Sequence, residues 1–103
     1  MNLIKPYFQV DTITDLRDML RRSARLYGDR TAFMQKVNGR YQSYSYKKVL
    51  SDTEALGTEL HALGLLSSPV IVLGDNGYEW ALSFLSVVCG GGMVVPVDKE
   101  LPA

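Results

Sequence analysis

The sequence predicts an α/β fold: an N-terminal helix, a β-hairpin, then a strand–helix–strand unit with a short parallel sheet, together an incomplete part of a larger layered α/β domain. Three observations carry this. Residues 70–73 and 93–97 are unbroken apolar runs, the first bounded by Pro69 and Gly74 and the second by Gly92 and Asp98, which is the pattern of strands buried on both faces. The interval between them carries a helical pattern, and parallel strands require a crossover of that size, expected to be right-handed. Upstream, Asn38-Gly39 stands between two strand-like runs, the pair a type I′ hairpin turn selects because both its central positions need positive φ.

The elements follow in order. Residues 1–12 mix apolar and polar types without a period, and Pro6 blocks regular structure; they read as a tail that docks through Tyr7, Phe8 and Val10, ahead of a domain over 13–103. A first helix begins at Thr14 as N-cap, with Asp15 suited to the positive end of the helix dipole. Ile13, Leu16, Met19, Leu20, Ala24 and Tyr27 share a face, and Gly28 ends the helix. The opposite face carries Arg17, Arg21 and Arg25 at four-residue steps, with Arg22 beside them. It reads as a solvated face on which Asp18 pairs with Arg21 or Arg22.

Residues 31–34 and 40–44 form the hairpin, and counting outward from the turn sets Phe33 opposite Tyr44, a contact that fixes the register. Tyr41, Tyr44 and Tyr46 could be taken for a base-stacking platform, but no basic groove accompanies them, and a half-buried hairpin face is the reading adopted. Ser45 is the N-cap of a helix over 46–63, and Gly64 closes it in the left-handed conformation. Gly57 in mid-helix costs about 1 kcal/mol relative to alanine, which implies close approach of another element. Residues 65–69 turn into the first parallel strand. Asn76 then caps the crossover helix with Glu79 three residues on. That helix is apolar on nearly every side, through Trp80, Ala81, Leu82, Phe84, Leu85, Val87 and Val88, so more than one neighbour must cover it. Pro96 has no amide to donate and puts its strand at an edge.

Composition excludes several functions. Eleven Lys and Arg against eleven Asp and Glu leave no net charge, so nothing steers the chain toward nucleic acid or an anionic membrane. The longest apolar stretch is broken by three glycines and a proline, so no integral membrane segment is expected. The first residues lack the pattern of a secretory signal, and one cysteine cannot form an internal disulfide; a soluble, cytoplasmic chain is expected.

No set of side chains here assembles into a reaction centre, so the catalytic, cofactor-binding and metal-ligating sets are all read as empty. His61 is the only histidine and has no second ligand at metal spacing. Cys89 ends an apolar run without an activating base and reads as a small buried hydrophobe. Gly74-Asp75-Asn76-Gly77 lies between strand and helix, where nucleotide folds hold phosphate, yet it lacks both the G-x-G-x-x-G spacing and the G-K-[ST] of a P-loop. Gly90-Gly91-Gly92 precedes a strand instead of a helix, so its task is to end one element and turn into the next. Two or three strands make a small parallel sheet. Its exposed edges are expected to pair with the remainder of a larger domain or with a second copy.

These pieces, in this order, resemble the start of the AMP-forming acyl-CoA synthetases of the adenylate-forming superfamily. The likeness runs from Ile13 onward: a helix ending in Tyr27-Gly28-Asp29-Arg30-Thr31-Ala32, a hairpin entering Tyr44-Ser45-Tyr46-Lys47-Lys48-Val49, a helix ending in Leu63-Gly64-Leu65, then residues 70–98. Tyr44 to Val49 resembles the family's L-T-Y-x-E-L, with Tyr, Lys and Val for Leu, Glu and Leu. Phe84 to Asp98 resembles L-x-x-x-x-A-G-x-x-x-V-P-[LI]-[DN], with Gly90 for Ala. Asn76 followed by Glu79-Trp80 is most similar to the long-chain fatty-acid-CoA ligases. The resemblance implies a parent enzyme that activates a carboxylate with ATP and magnesium and passes the acyl group to coenzyme A. It also implies that this stretch is scaffold, ending before the phosphate-binding loop. No catalytic residue carries over, Lys47, Lys48 and Lys99 included, and no activity or cofactor is expected of residues 1–103 alone. The alternatives are a stand-alone α/β dimerisation or interaction module, told apart by a stable dimer, and the start of an amino-acid adenylation domain.

Overall fold

A computed structural model of the chain describes residues 12–75 and 77–97. The element order is α1 (Leu16–Tyr27), β1 (Thr31–Val37), β2 (Arg40–Ser45), α2 (Tyr46–Ala62), a 3-10 turn (Leu65–Ser67), β3 (Val70–Leu73), α3 (Tyr78–Cys89) and β4 (Val94–Val97). The strands form two separate two-stranded sheets, the hairpin β1–β2 and the parallel pair β3–β4. This is the mixed α/β architecture that the sequence predicts. The proposed tail lies almost wholly outside the described residues.

The hairpin turns where expected. Asn38 and Gly39 take φ of 52° and 80°, and with both turn positions satisfied the strands run up to the turn itself, longer than their apolar patterning alone suggests. Phe33 faces Tyr44, with a register shift between Thr31 and Phe33. β3 and β4 pair in parallel, Val70 with Val94 through Leu73 with Val97, and Val72 lies opposite Pro96. β4 begins one residue later than its apolar run, because Met93 stays outside the ladder and offers only its carbonyl, to the Val70 N–H at 2.9 Å.

Two helix starts differ from expectation. α1 is capped by Asp15, not Thr14: the Asp15 carboxylate accepts the Asp18 N–H at 2.7 Å, and Asp18 in turn accepts the Thr14 N–H at 3.1 Å. A carboxylate meets the helix dipole with a full charge, which a threonine hydroxyl does not. α3 is capped by Gly77, with no side-chain hydrogen bond of its own; Asn76 lies outside the described residues. Ser45 caps α2 as expected, its Oγ accepting the Lys48 N–H at 3.1 Å, and Gly64 follows with φ 72°.

The three helices pack on one another, and α3 also touches β1, β3 and β4, which is why its apolar residues are spread around its circumference. The core gathers Leu20, Tyr44, Val49, Tyr78 and Cys89, with Val87 1% exposed beside them. The parallel pair is covered on one face only. Val72 is buried, whereas Ile71 and Leu73 are 67% and 62% exposed, so the expectation of strands buried on both faces is met on the α3 side alone. Alternation along a strand sends every second side chain to the other face, and no described element lies there. Among the described residues no helix is long and apolar enough to cross a membrane.

Gly57 explains itself against α3. A Cβ there would sit 3.4 Å from the Ser86 carbonyl oxygen, so the helices do approach, with room left for one methyl. Gly57→Ala is therefore expected to raise stability by about 0.5–1 kcal/mol through helix propensity, read as a higher urea midpoint; Gly57→Val, which overfills the same gap, lowers it.

Candidate functional site

The turn before α3 is the first place to look for a phosphate site, and the first N–H of the helix is already committed. The Tyr78 N–H donates to Gln35 Oε1 at 2.8 Å, so a side chain from β1, forty-three residues back, caps the helix that its own N-cap glycine leaves open. A Cβ on Gly77 would meet the same Gln35 oxygen at 2.9 Å. Asp75 before the helix and Glu79 in its first turn add negative charge where an anion would have to sit. These residues do not make a phosphate cradle.

The triple glycine is committed to the end of α3. The N–H groups of Gly90, Gly91 and Gly92 donate to the carbonyls of Ser86, Val88 and Val87 at 3.1, 3.2 and 2.9 Å, satisfying the open C-terminus of α3. Gly91 takes φ 87°, and a Cβ on Gly92 would lie 2.9 Å from Leu66 and 3.2 Å from Val87. The motif ends a helix and lets the 3-10 turn close over it.

The arginine face is partly a set of ties between helices. Arg22 pairs with Asp18 at 3.0 Å, as the four-residue spacing predicts, and Arg21 lies 3.6 Å from Glu54 of α2. Arg17 departs from the solvated reading: its Nε donates to the Cys89 carbonyl oxygen at 2.6 Å. Sequence spacing shows which arginines share a face of α1, but not which carbonyl another helix brings there.

Cys89 is 8% exposed, and burial pushes its thiol pKa up, away from the thiolate a nucleophile needs. His61 is exposed near the end of α2, and among the described residues no group of three or more His, Cys, Asp or Glu could hold a metal ion. Tyr78 joins three elements. Its ring stacks on Tyr44 with centroids 3.7 Å apart at 7°, Phe33 meets it edge-on at 5.9 Å, and its hydroxyl donates to Asp52 Oδ2 at 2.7 Å. Burial, then the Asp52 carboxylate, drive the Tyr78 pKa up. Burial alone would raise Asp52, but hydrogen bonds from Tyr78 and Lys48 outweigh it and hold its carboxyl below the usual range. A tyrosine kept protonated against an ionised aspartate is a joint in the scaffold, not a base.

A cleft of about 530 Å³ lies between α1, α2, α3 and the 3-10 turn, with Leu20, Leu50 and Leu66 on its lining. Thr53, 2% exposed, stands on its wall. Its hydroxyl has no hydrogen-bond partner, whereas Thr58, Ser83 and Ser86 each bond the carbonyl four residues back. An unpaired buried hydroxyl costs about 1–3 kcal/mol. Thr53→Val, which keeps the shape and removes the hydroxyl, is expected to stabilise the chain by about 1 kcal/mol, measured by urea unfolding.

The described residues thus supply a scaffold whose polar groups are used to hold it together. Solved structures share this scaffold. A structure of IdnL1 superposes with a TM-score of 0.78 at 24% identity, over 90% of this chain and 19% of that one. The fatty acid AMP ligase from Legionella pneumophila gives 0.76 at 19% identity, over 86% of this chain and 16% of its own; likeness at that identity shows the fold alone. The chain belongs to the AMP-binding enzyme family, whose model matches residues 20–103. Among curated proteins it is 32% identical over 65 residues to the D-alanine--D-alanyl carrier protein ligase of Streptococcus agalactiae serotype V, and 32% identical over 60 residues to the one from Streptococcus pneumoniae. These alignments take in 62% and 57% of this chain and 12% of each relative, so the chain spans about an eighth of the curated relatives it matches.

Proposed function

We propose that these residues are the N-terminal scaffold of an ATP-dependent ligase that adenylates a carboxylic acid and passes the acyl group to a thiol. The observation that supports this best is the family match over residues 20–103, on a chain whose β3–α3–β4 unit carries the resemblance to the family's V-P-[LI]-[DN] segment. In that reaction a carboxylate oxygen attacks the α-phosphorus of ATP, the bond to the bridging oxygen breaks, and pyrophosphate leaves. The thiol sulfur then takes the acyl carbon and releases AMP. In this reading the contribution of the chain is packing. Its partner is the remainder of its own adenylating domain, for which the uncovered face at Ile71 and Leu73 is suited; a homodimer through the sheet edges is the competing arrangement. A cytoplasmic setting accords with the single cysteine.

For the acid, the pattern of Asn76, Glu79 and Trp80 favours a long-chain fatty acid with coenzyme A as acceptor. A second reading has its own observation: the curated relatives named above are D-alanine--D-alanyl carrier protein ligases, which favours an amino acid and a carrier-protein thiol. Pyrophosphate exchange on the polypeptide encoded by the whole reading frame, with palmitate and with D-alanine, decides between them. Exchange with neither acid overturns adenylation of both classes. The 103-residue chain by itself is expected to bind ATP weakly or not at all in calorimetry, and a low-micromolar dissociation constant would overturn the scaffold reading.

A further inference from the structure

We propose that the N-terminal tail, residues 1–11, folds back as a strap across the end of the molecule from which it emerges. The directions of the helices gather several chain ends there. α1 runs antiparallel to α3, since Arg17 in the first turns of α1 reaches the Cys89 carbonyl at the end of α3. α2 runs in the same direction as α3, with Asp52 against Tyr78 and Gly57 against Ser86. The start of α1, the end of α2, the 3-10 turn, the triple glycine and the start of β4 therefore lie side by side, and Leu66 closes on Gly90 and Gly92 among them.

This end is apolar, and Ile13, Leu16, Leu63, Leu65 and Met93 stand on it, each at least 40% exposed. Together they offer on the order of a few hundred Å², a size of patch that is often functional on a monomer. A standard interface between separate molecules needs ~800 Å² from each partner, which this patch does not supply. A segment of the same chain needs less, because its tether keeps it at high effective concentration and spares it the loss of translational freedom. The tail has the composition for that use. Leu3, Ile4, Tyr7, Phe8 and Val10 supply apolar side chains, and Pro6 restricts its own backbone and that of Lys5 toward extended conformations, which lowers the entropy lost on docking. Eleven residues precede Thr12 and reach at most roughly 36–40 Å, whereas three helices packed about 8–10 Å apart present a narrower end than that. The strap leaves the sheet face at Ile71 and Leu73 uncovered, so it does not compete with the remainder of the domain for that face.

The test is a nuclear Overhauser experiment on the 103-residue chain, read from the rings of Tyr7 and Phe8. The expected result is contacts from these rings to the side chains of Leu16, Leu65 and Met93 that persist on dilution. Tyr7→Ser combined with Phe8→Ser should speed deuterium exchange at the Gly91 and Gly92 amides about tenfold and leave the hairpin amides of Gln35 and Gln42 within about twofold. Leu65→Ser, at an exposed position, should speed exchange at the same two glycines in the unaltered chain and add less than about twofold once the tail is altered. Rings without contacts distant in sequence, contacts confined to the Ile71–Leu73 face, contacts that vanish on dilution and so belong to a second copy, or tail and Leu65 effects that simply multiply would each overturn the proposal. If a variant fails to fold, the ring contacts of the unaltered chain still decide. The outcome is separable from that of pyrophosphate exchange, because ATP takes no part.

Discussion

Tyr78→Ala is expected to cost about 4 kcal/mol, the range seen for removing a buried aromatic side chain, and to take most of the stability of a chain at the low end of the usual range. Domains of this size hold about 5–15 kcal/mol in all. The ring is 7% exposed and stands where the hairpin, α2 and α3 meet, so its loss empties the stack on Tyr44 and the edge contact with Phe33 together. Tyr78→Phe separates ring from hydroxyl. It keeps the stack and removes the donor to Asp52, which retains Lys48 at 3.1 Å, so a loss of only about 1 kcal/mol is expected. Urea unfolding followed by circular dichroism measures both. Equal losses for the two variants would mean that the hydroxyl, not the stack, holds the elements together.

The same joint sets a pH dependence. The folded Asp52 carboxyl lies below its ordinary value, so its contribution is complete above the unfolded pKa near 4 and disappears as pH falls through the lower folded value. Asp52→Asn is therefore expected to destabilise the chain at pH 7, and the difference from the unaltered protein should shrink steadily below about pH 4. A difference that stays constant into acid would mean that the amide loses shape complementarity and not charge.

What could be read in advance followed from local rules. Asn38-Gly39 names its own turn because few residues tolerate positive φ, and Phe33 opposite Tyr44 follows by counting. Ser45 and Gly64 mark the ends of α2 because capping is a matter of the nearest three or four residues. The parallel pairing of β3 with β4 followed from run lengths and the crossover between them. Contacts between segments distant in sequence were not legible. Gln35 capping α3 and Arg17 reaching Cys89 are hydrogen bonds spanning forty-three and seventy-two residues, and no periodicity within either segment encodes the other. With a glycine in the cap of α3 an acceptor has to come from elsewhere, but a reading that placed the cap on Asn76 gave no signal of it. The triple glycine was legible as a helix end, and the structure spends the N–H groups of Gly90, Gly91 and Gly92 on the last carbonyls of α3.

Arg17→Met is the second large effect, about 2 kcal/mol, and it separates two ideas of the α1 arginines. A hydrogen bond from a charged donor to a partly buried acceptor is worth about 1.5–3 kcal/mol, and a cation at the C-terminus of α3 also opposes the negative end of its dipole. Methionine retains the aliphatic stem along the helix surface, so the loss reports the guanidinium alone. Because the bond ends on the carbonyl of Cys89, just before Gly90-Gly91-Gly92, the damage should be local first. The amides of Gly91 and Gly92, bonded to the last turn of α3, are expected to exchange with deuterium faster than those in the middle of α2. Arg25→Met, one turn beyond Arg21 on the same stripe, is the control and should change stability by less than about 0.5 kcal/mol. Equal effects at both positions would return the whole stripe to a solvated face. A loss at Arg17 alone, with exchange rising at the triple glycine, makes this arginine the clamp that holds the end of α3 and sets the path of the chain into β4.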